Sequence, residues 1–473
     1  RPMPPHPPII IQVAVPSPLR RRFDYLAPNT GPIPQPGARV RVPFGRREVV
    51  GLVLHVGQHS DWPLARLKSV STVLDREPVV PADLLSFVLW AADYYHHPVG
   101  EVVQSTLPVL LRRGQAPESE AGVAVWQLTD TGRQQPPDSM KRAVAQRRLL
   151  EALLVAPQGL DAEQLAAVTP AWRAPLGAMQ KKGWLGMRRR DCLLPAEARD
   201  DALPPLNPAQ QSAVAAIHAS LGGYQGLLLH GITGSGKTEV YLHAIDQVRA
   251  EGGQALVLVP EIGLTPQLLE RFQRRFPVTI ALLHSGMNDS ERLCAWGMAR
   301  SGKAAIVIGT RSAVFTPMPA LRLIVVDEEH DGSYKQQDGF RYSARDLAVV
   351  RARREGVPVV LGSATPSLES YYNAKAGKYR YLPIANRVDH RPMPQVEIVD
   401  LKGLPRVSVY SPALVSAVQQ RLDKKEQTLL LLNRRGFSSV LICGDCGKVL
   451  PCPSCSVSLT FHKSERRLKC HYC

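Results

Sequence analysis

Six short apolar runs separated by helix-like stretches constrain the fold of this chain more than any other feature of its sequence. The runs read GLLLH, QALVLVP, TIALLH, AAIVIGT, LRLIVVD and VPVVLGS, and they lie between residues 226 and 363. Unbroken apolar strands that alternate with amphipathic helices are typical of a parallel sheet covered on both faces, because such strands have no solvent-facing side. The sequence therefore predicts a doubly wound α/β domain at residues 201–393.

Further domains are expected around this one, because 473 residues are too many for a single hydrophobic core. Short β-rich runs such as GARVRVPFG predict a small β-rich domain over residues 1–112. Three helix-like periods followed by a basic RRR stretch predict a winged-helix domain over 113–200, and a purely helical spacer explains this pattern equally well. We expect a second α/β unit to begin within 394–440 and a cysteine-rich module to occupy 441–473.

The chain is strongly basic, with a formal net charge of +17 and an isoelectric point near 9.7. This balance indicates a polyanionic partner, and nucleic acid is the first candidate. No apolar run approaches the roughly 18 residues of a membrane span, and the N-terminus has no apolar signal core. We therefore expect a cytoplasmic monomer that contacts nucleic acid and no membrane.

The sequence GITGSGKT at 231–238 fits the P-loop pattern and lies between the predicted strand GLLLH and the helix KTEVYLHAIDQV. Glycines in such a loop let backbone N–H groups surround phosphate oxygens, and the helix N-terminus adds a favourable dipole. Lys237 is expected to reach the β and γ phosphates of ATP, and Thr238 to bind Mg²⁺. The predicted nucleotide-binding residues are Gly231, Thr233, Gly234, Ser235, Gly236, Lys237 and Thr238.

The run LIVVDEEH delivers acidic residues at the carboxyl end of a predicted strand, the edge at which open α/β sheets bind ligands. Hydrolysis of ATP requires one carboxylate near Mg²⁺ and another that orients or deprotonates the attacking water. We assign the first role to Asp327 and the second to Glu328. Together with Lys237 and His330, they are the predicted catalytic residues.

Three cysteine pairs of the form C-x-x-C fall within the last 31 residues. Structural Zn²⁺ takes four ligands, and cytosolic disulfides are rare, so the pairs indicate metal binding. Cys452, Cys455, Cys470 and Cys473 form one complete predicted site. Cys443 and Cys446 are half of a second site, which either His462 or His471, or a fourth pair beyond the end of the chain, would complete. We expect that the chain is a C-terminally truncated fragment.

The order of motifs resembles that of superfamily 2 helicases. The P-loop and DEEH are accompanied by VPEIGLTPQ, LHSG, IGTRSAVFTP, GSATPS and LLLNRRGFSS, and LNPAQ resembles the upstream motif whose glutamine, here Gln210, reads adenine. The stretches WAADYYHHP, DEEHDGSYKQQDGFRYSARDLAV and NRRGF further resemble the primosomal protein N′ (PriA) family of replication restart helicases, over nearly the whole chain.

This resemblance implies an ATP-dependent helicase of 3′ to 5′ polarity that recognises stalled forks and initiates primosome assembly. It implies a RecA-like helicase lobe, two zinc sites, nucleoid association at forks, and binding to primosome proteins and single-strand-binding protein. The implied pocket for a nascent 3′ end consists of Phe23, Asp24, Tyr25, Gly45 and Lys68. In helicases of this superfamily, Thr310 with Arg311 follows the DNA backbone, and Ser363 with Thr365 couples hydrolysis to movement.

The segment DGSYKQQDGFRYSARD interleaves aromatic residues with cations. Aromatic faces stack on unpaired bases and cations bind phosphates, so this pattern predicts sequence-independent DNA binding. The family resemblance implies the same function. A loop whose aromatic side chains are buried is the alternative interpretation. The predicted DNA-binding residues of the segment are Tyr334, Lys335, Phe340, Arg341 and Tyr342.

Two other functions compete with a helicase. One is a fork-binding scaffold that recruits primosome proteins and does not need its ATPase, and the other is a P-loop translocase of a different kind. The later motifs that supply arginines to the γ-phosphate in this superfamily lie outside the sequence. Because loss of such an arginine typically costs on the order of 10³ in rate, we expect this chain to bind nucleotide and forked DNA but to unwind poorly.

Overall fold

The computed structural model describes residues 8–117, 123–137, 143–190, 205–263, 265–276, 278–388, 395–400, 410–431, 448–455, 457–462 and 467–470. The chain divides into two compact units, residues 1–390 and 391–473. Among the described residues, every helix is too short or too polar to cross a bilayer.

The N-terminal part of the first unit is a β-rich domain, as the sequence predicts. Its strands and helices are β1 (Ile10–Ala14), β2 (Phe23–Leu26), β3 (Arg39–Phe44), β4 (Arg47–Gly57), β5 (Thr72–Val73), α1 (Ala82–Tyr94), α2 (Val99–Thr106) and α3 (Val109–Arg112). The five strands form one antiparallel sheet in the order β2-β1-β4-β3-β5. The buried Arg39 forms an ion pair with Asp75 at 2.7 Å and donates to the Leu111 carbonyl, which fastens α3 to the sheet.

The next part combines three main helices with a small sheet. Its elements are β6 (Val123–Leu128), α4 (Asp130–Arg133), α5 (Val144–Leu154), β7 (Leu160–Asp161), α6 (Ala162–Val168), α7 (Arg173–Lys181) and β8 (Leu185–Arg190). The strands are antiparallel in the order β7-β6-β8, and the helices bury Leu149, Leu165 and Leu176 in one apolar core. A purely helical spacer would have no such sheet. The assignment of this part as a winged-helix domain stays a prediction.

The large α/β domain contains a seven-stranded parallel sheet. Its elements are α8 (Pro208–His218), β9 (Gly226–Gly231), α9 (Lys237–Ala250), β10 (Gln254–Leu258), α10 (Pro266–Arg275), β11 (Ile280–Leu283), α11 (Asp289–Arg300), β12 (Ile306–Gly309), β13 (Leu321–Val326), α12 (Ala344–Glu355), β14 (Val359–Ser363), α13 (Leu368–Lys375) and β15 (Arg380–Ile384). The strand order is β11-β12-β10-β13-β14-β9-β15. Each of the six predicted apolar runs forms a strand.

The seventh strand, β15, is absent from the predicted runs. Its sequence RYLPI includes Arg380 and Pro383, which weaken the apolar signal. Proline is tolerated on a sheet edge, where one row of backbone donors has no partner strand, and β15 lies at that edge.

Apolar clusters cover both faces of this sheet. On one face, α8 and α9 pack with Phe272 and Phe276. On the other face, a single cluster runs from Phe87 and neighbouring residues of α1 into Phe315, α12 and the strands, with the rings of Phe87 and Phe315 5.9 Å apart. The N-terminal domain and the helicase-like sheet therefore share a hydrophobic core.

The second unit contains α14 (Pro412–Asp423), β16 (Thr460–His462) and β17 (Arg467–Lys469), and the two strands form an antiparallel hairpin. Ser411 caps α14 by accepting from the backbone N–H of Leu414. Residues 427–431 of the predicted strand QTLLLLNRRG form no strand, and its remaining residues lie outside the described part of the chain.

Candidate functional site

The P-loop is the turn between β9 and α9, where the sequence places it. Gly234 and Gly236 have φ values of +81° and +80°, in the left-handed region that favours glycine. A Cβ at Gly236 would lie 2.3 Å from the amide nitrogen of Gln210, so a larger residue there would displace that side chain. The sequence folds this way because its glycines allow the turn and Lys237 begins a helix of 14 residues.

Gln210 connects α8 to the P-loop. Asn207 and Gln210 form a capping box, in which the Gln210 Oε1 accepts from the Asn207 backbone at 2.8 Å. The Gln210 Nε2 donates to the Ser235 carbonyl at 2.9 Å, and the side chain is buried. Both polar ends of the predicted adenine-reading residue therefore contact protein atoms, and they fix the position of the loop.

A cavity of about 560 Å³ lies above the P-loop and contains the predicted catalytic groups. Lys237 Nζ donates to the Gly231 carbonyl at 3.0 Å and lies 3.6 Å from Glu328 Oε1. Glu328 has a φ of +44°, which is uncommon for a residue with a side chain and often marks a functional position. The predicted residues that line the cavity are Gln210, Thr233, Gly234, Ser235, Gly236, Lys237, Thr238, Asp327 and Glu328.

Asp327 follows β13 directly and is held by a tyrosine that the sequence analysis did not identify. Tyr241 Oη donates to Asp327 Oδ1 at 3.0 Å. Burial, and then the charge of Glu328, raise the pKa of Asp327, while burial holds the pKa of Tyr241 well above its ordinary value. A Cβ at Gly362 would lie 1.5 Å from the Tyr241 hydroxyl oxygen, so β14 must carry glycine there. The spacing of Tyr241, one helical turn after Lys237, is the signal that could have identified it.

His330 connects the acidic strand to the GSATPS motif, which follows it in the sequence. Its Nδ1 lies 2.7 Å from Ser363 Oγ, and its Nε2 lies 3.4 Å from Thr365 Oγ1. The Nδ1 is also 3.7 Å from Glu328 Oε2. The structure thus brings His330 together with both residues to which the resemblance assigned coupling.

Glu329 is a second site residue that the sequence analysis missed. Its side chain is fully buried and accepts from the Ser367 backbone at 2.7 Å and the Ser370 hydroxyl at 2.8 Å. Arg345 lies 3.4 Å from the same carboxylate. A buried carboxylate with this many donors anchors the start of α13 to the acidic strand.

The aromatic residues of the segment after DEEH are buried, which contradicts their predicted role in stacking on bases. Tyr334, Phe340 and Tyr342 are 2%, 4% and 4% exposed. Phe340 and Tyr342 pack on Phe315, and Phe340 also packs on Tyr95 of the N-terminal domain. In this conformation other side chains cover most of their surface, as the alternative interpretation of the loop expects.

The cations of the same segment have different surroundings. Lys335 and Arg341 are both exposed, and Lys335 Nζ donates to the Arg341 carbonyl at 2.6 Å. The hydroxyl of Tyr334 lies 2.6 Å from the Asp327 carbonyl oxygen, so the segment is connected to the acidic strand. Both side chains are exposed to solvent, and both remain predicted contacts for phosphate.

The predicted 3′-end residues gather around β2 and the β3–β4 turn. Asp24 accepts from Ser60 Oγ at 2.7 Å, and Phe23 is half-buried with its ring edge-on to that of Phe44. Gly45 has a φ of +63° in the exposed turn, and Lys68 is exposed.

Tyr25 differs from the other four predicted 3′-end residues. Its ring is 5% exposed, and its hydroxyl donates to the Pro43 carbonyl at 3.2 Å. Burial raises the pKa of Tyr25 to about 12. The ring therefore belongs to the core of the sheet, and the assignment of Tyr25 to the 3′-end pocket stays a prediction.

Thr310 and Arg311 line a second cavity, of about 500 Å³. Thr310 is buried at the end of β12, and Arg311 Nη1 donates to the Ser333 carbonyl at 3.2 Å. The wall opposite these residues includes Gln104 and Ser105 of α2.

Three of the predicted zinc ligands are described, and they converge. The sulfur atoms of Cys452, Cys455 and Cys470 lie within 4.8 Å of one another, and those of Cys455 and Cys470 are 3.5 Å apart. Zn–S bonds of about 2.3 Å in a tetrahedron place the sulfurs roughly 3.8 Å apart, so the donor set fits zinc. Cys443, Cys446 and Cys473 lie outside the described residues.

Comparisons with protein families match three regions of this chain. Residues 12–108 match the 3′DNA-binding domain (3′BD) of PriA, and residues 207–374 match the DEAD/DEAH box helicase family. Residues 452–473 match the Cys-rich region (CRR) domain of the PriA DNA helicase. The α/β domain is therefore a DEAD/DEAH box helicase domain, with its P-loop and DEEH motif in one cavity.

Curated relatives identify the family more narrowly. The replication restart protein PriA of Haemophilus influenzae is 39% identical over 98% of this chain and 64% of its own length. The Bacillus subtilis protein of the same name is 33% identical, over 98% of this chain and 66% of its own length. The chain belongs to the PriA family of replication restart proteins, and it spans slightly less than two thirds of these relatives.

Solved structures give weaker matches. RecG bound to a three-way DNA junction aligns over 47% of this chain and 28% of its own, at 24% identity and a TM-score of 0.32. The Pyrococcus furiosus Hef helicase domain aligns over 46% of this chain and 44% of its own, at 21% identity and a TM-score of 0.30.

Proposed function

We propose that this protein is a DNA-dependent ATPase of replication restart, which translocates 3′ to 5′ and initiates primosome assembly at stalled forks. The observation that carries the proposal is the single cavity that holds Lys237, Asp327 and Glu328 at the carboxyl edge of a parallel sheet. The match of residues 12–108 to a 3′DNA-binding domain supports recognition of a nascent 3′ end.

The chain's own residues provide each part of an ATP site. The P-loop backbone would surround the phosphates, and Lys237, which now contacts Glu328, would turn toward the β and γ oxygens. Asp327 and Thr238 line the same cavity and offer a carboxylate and a hydroxyl oxygen, so both fit a bound Mg²⁺. Mg²⁺ would neutralise the developing charge on the phosphates. Glu328 would orient the attacking water. His330, which contacts Glu328, Ser363 and Thr365, would couple the position of Glu328 to those two residues.

DNA is proposed to bind on the same unit. Asp24, Gly45 and Lys68 are accessible for a 3′ terminus, and Thr310 with Arg311, which line the second cavity, would follow a single strand. The net charge of +17 favours this partner. Primosome proteins and single-strand-binding protein are proposed as protein partners.

Zinc is proposed for the cysteine module. Cys452, Cys455 and Cys470 would hold one ion together with Cys473, and Zn²⁺ in such a site stabilises the fold and takes no part in catalysis. A second zinc on Cys443 and Cys446 is part of the same proposal.

The proposal is tested by ATP hydrolysis with and without a forked DNA that has a 3′ end at the junction. Glu328→Gln keeps the size of the side chain and should retain ATP binding, while DNA-stimulated hydrolysis falls by about 10²-fold or more. Lys237→Ala should lose hydrolysis and weaken nucleotide binding. Glu77→Gln, at an exposed position of the N-terminal domain outside the nucleotide cavity, is the matched control and should hydrolyse ATP at the normal rate.

The same variants separate a motor from a scaffold. Lys237→Ala should still bind forked DNA, because Lys237 lies in the nucleotide cavity. If Glu328→Gln hydrolysed ATP as fast as the unaltered chain, the assigned site would be wrong. If hydrolysis were lost while primosome assembly continued in an otherwise complete system, the ATPase would be dispensable and the scaffold function would be correct.

A further inference from the structure

A cleft between the N-terminal domain and the helicase domain carries arginines from both. Arg112 ends α3, Arg292 lies on α11, and Arg311 follows β12, and all three line the cavity of about 500 Å³. Thr310 and Ser312 add hydroxyl groups to the same wall. A cleft with this set of donors is suited to an anion.

Arg112 differs from the other two arginines in its hydrogen bonds. Arg292 donates to the His284 carbonyl at 2.7 Å, and Arg311 donates to the Ser333 carbonyl at 3.2 Å, so both have structural partners. Among the described residues, the Nε of Arg112 is buried and has no hydrogen-bond acceptor. A buried, unsatisfied donor on a charged group is costly unless a ligand or water completes it.

A second unsatisfied donor lies beside the first. Trp296 is 4% exposed, and its indole Nε1 has no acceptor among the described residues. It lines a small cavity of about 60 Å³ that adjoins the larger one and shares Ser105, Arg112, Arg292 and Ser312 with it. Arg112 and Trp296 therefore line adjoining cavities, and the smaller of the two has room for only a few waters.

Charges of both signs line the cleft, because Glu101, Glu261 and Asp338 accompany the three arginines. The crowding of arginines around Arg112 and the unsatisfied N–H groups are what favour an anion. Burial lowers the pKa of Arg112, and the nearby charges of Arg292 and Arg113 lower it further, while Asp289 opposes them. Glu101 also lines the cleft, and it is paired with His97 at 2.7 Å. Holding Arg112 and Arg292 together is unfavourable by itself, and a bound negative charge would relieve it.

We propose that this cleft binds a phosphodiester of single-stranded DNA, and that Arg112 is a DNA-binding residue contributed by the N-terminal domain to the path that starts at Thr310 and Arg311. The inference rests on the proposed function, because that function makes DNA the anion. It adds a residue outside the helicase domain, so the strand is held by both domains at once.

The test is equilibrium binding of a fluorescent oligo-dT to the full chain without ATP, at several salt concentrations. Arg112→Gln should lower the slope of log K against log salt by about 0.7, which is roughly a fivefold loss of affinity near 0.1 M salt. Arg113→Gln is the matched control: it is the next residue, its side chain is 68% exposed, and it lies outside both cavities, so binding should be unchanged. DNA-independent ATP hydrolysis should be the same in all three proteins.

A second pair of variants covers the case in which Arg112→Gln does not fold. Ser105 is an exposed residue on the rim of both cavities. Ser105→Asp places a negative charge there and should weaken oligo-dT binding about fivefold or more. Ser105→Asn, whose side chain matches that of aspartate in size and carries no charge, should not weaken it. Normal binding by Ser105→Asp would overturn the inference.

Inorganic phosphate distinguishes the two sources of the same chemistry. If phosphate raised the Tm of the unaltered chain and not of Arg112→Gln, while both bound oligo-dT equally, the cleft would be a free-anion site and the proposal would be wrong. If the unaltered chain bound no oligo-dT, the proposed function itself would fail. If it bound normally and Arg112→Gln matched it in affinity and slope, only the present inference would fail.

Discussion

Asp327 is a predicted catalytic carboxylate whose burial also affects the stability of the folded protein. It accepts one hydrogen bond from Tyr241, lies next to Glu328, and has a raised pKa because burial disfavours its charge. A raised carboxyl pKa means that ionisation destabilises the folded protein. The penalty is absent below the unfolded pKa near 3.8, grows as the pH rises from there to the folded value, and is constant above it.

Asp327→Asn should therefore stabilise the nucleotide-free protein at about pH 7, because the amide can still accept from Tyr241 and carries no charge. The gain in Tm should shrink as the pH is lowered toward the pKa of the free side chain. Thermal unfolding of both proteins between about pH 5 and 7, without Mg²⁺, measures this difference. Asp338→Asn, an exposed carboxylate, is the control, and a lower Tm for Asp327→Asn at neutral pH would contradict the argument.

Residues with local sequence signals were predictable, and those that depend on distant partners were not. Lys237 follows from a strand, a glycine turn and a helix that are contiguous in sequence, and Asp327 follows from the apolar strand that it ends. The role of Glu329 could not be predicted, because its hydrogen-bond donors, Ser367 and Ser370, lie about forty residues further along the chain. Its burial is decided by how α13 packs, and no spacing near the acidic strand encodes that.

At the scale of elements, the segment after the acidic strand is the least predictable part of the fold. Its alternating aromatic and basic residues indicate a DNA-binding loop, yet Phe340 is enclosed by Tyr95 and Phe315, which come from separate regions of the chain. Tyr95 Oη also accepts from the Ser343 backbone at 3.1 Å. The sheet strands were predictable because their own residues are apolar throughout, whereas this burial depends on docking with the N-terminal domain.

Tyr334 connects the same segment, which carries the predicted phosphate contacts Lys335 and Arg341, to the acidic strand. Its hydroxyl lies 2.6 Å from the Asp327 carbonyl and 2.9 Å from the Leu258 carbonyl. Tyr334→Phe should lower the DNA-stimulated part of ATP hydrolysis by roughly 3- to 10-fold, the equivalent of one net hydrogen bond. Hydrolysis measured over a range of DNA concentrations tests this. Tyr342→Phe removes a hydroxyl from the same buried cluster and should change the stimulation less; equal effects would indicate general loss of packing.

At the scale of the whole molecule, the cysteine-rich module is the part whose metal site could be predicted from composition and spacing alone. Three C-x-x-C pairs predicted metal, and the three described sulfurs converge as the spacing requires. Cys455→Ser should remove one zinc per chain, because Cys455 lies 3.5 Å from Cys470 and shares its site. Native mass spectrometry counts the ions. Ser458→Ala, in the same ribbon, should keep its zinc, and an unchanged count in Cys455→Ser would place the ion elsewhere.

The apolar cluster that joins α1 to the helicase sheet has a mechanical consequence. Phe87 and Phe315 interdigitate, and the buried residues around them continue without a break from one domain to the other. Packed interiors resist deformation, so a displacement imposed on the sheet is transmitted to α1 almost undiminished. If residues 12–108 hold a DNA 3′ end as proposed, that end would therefore move together with the helicase domain.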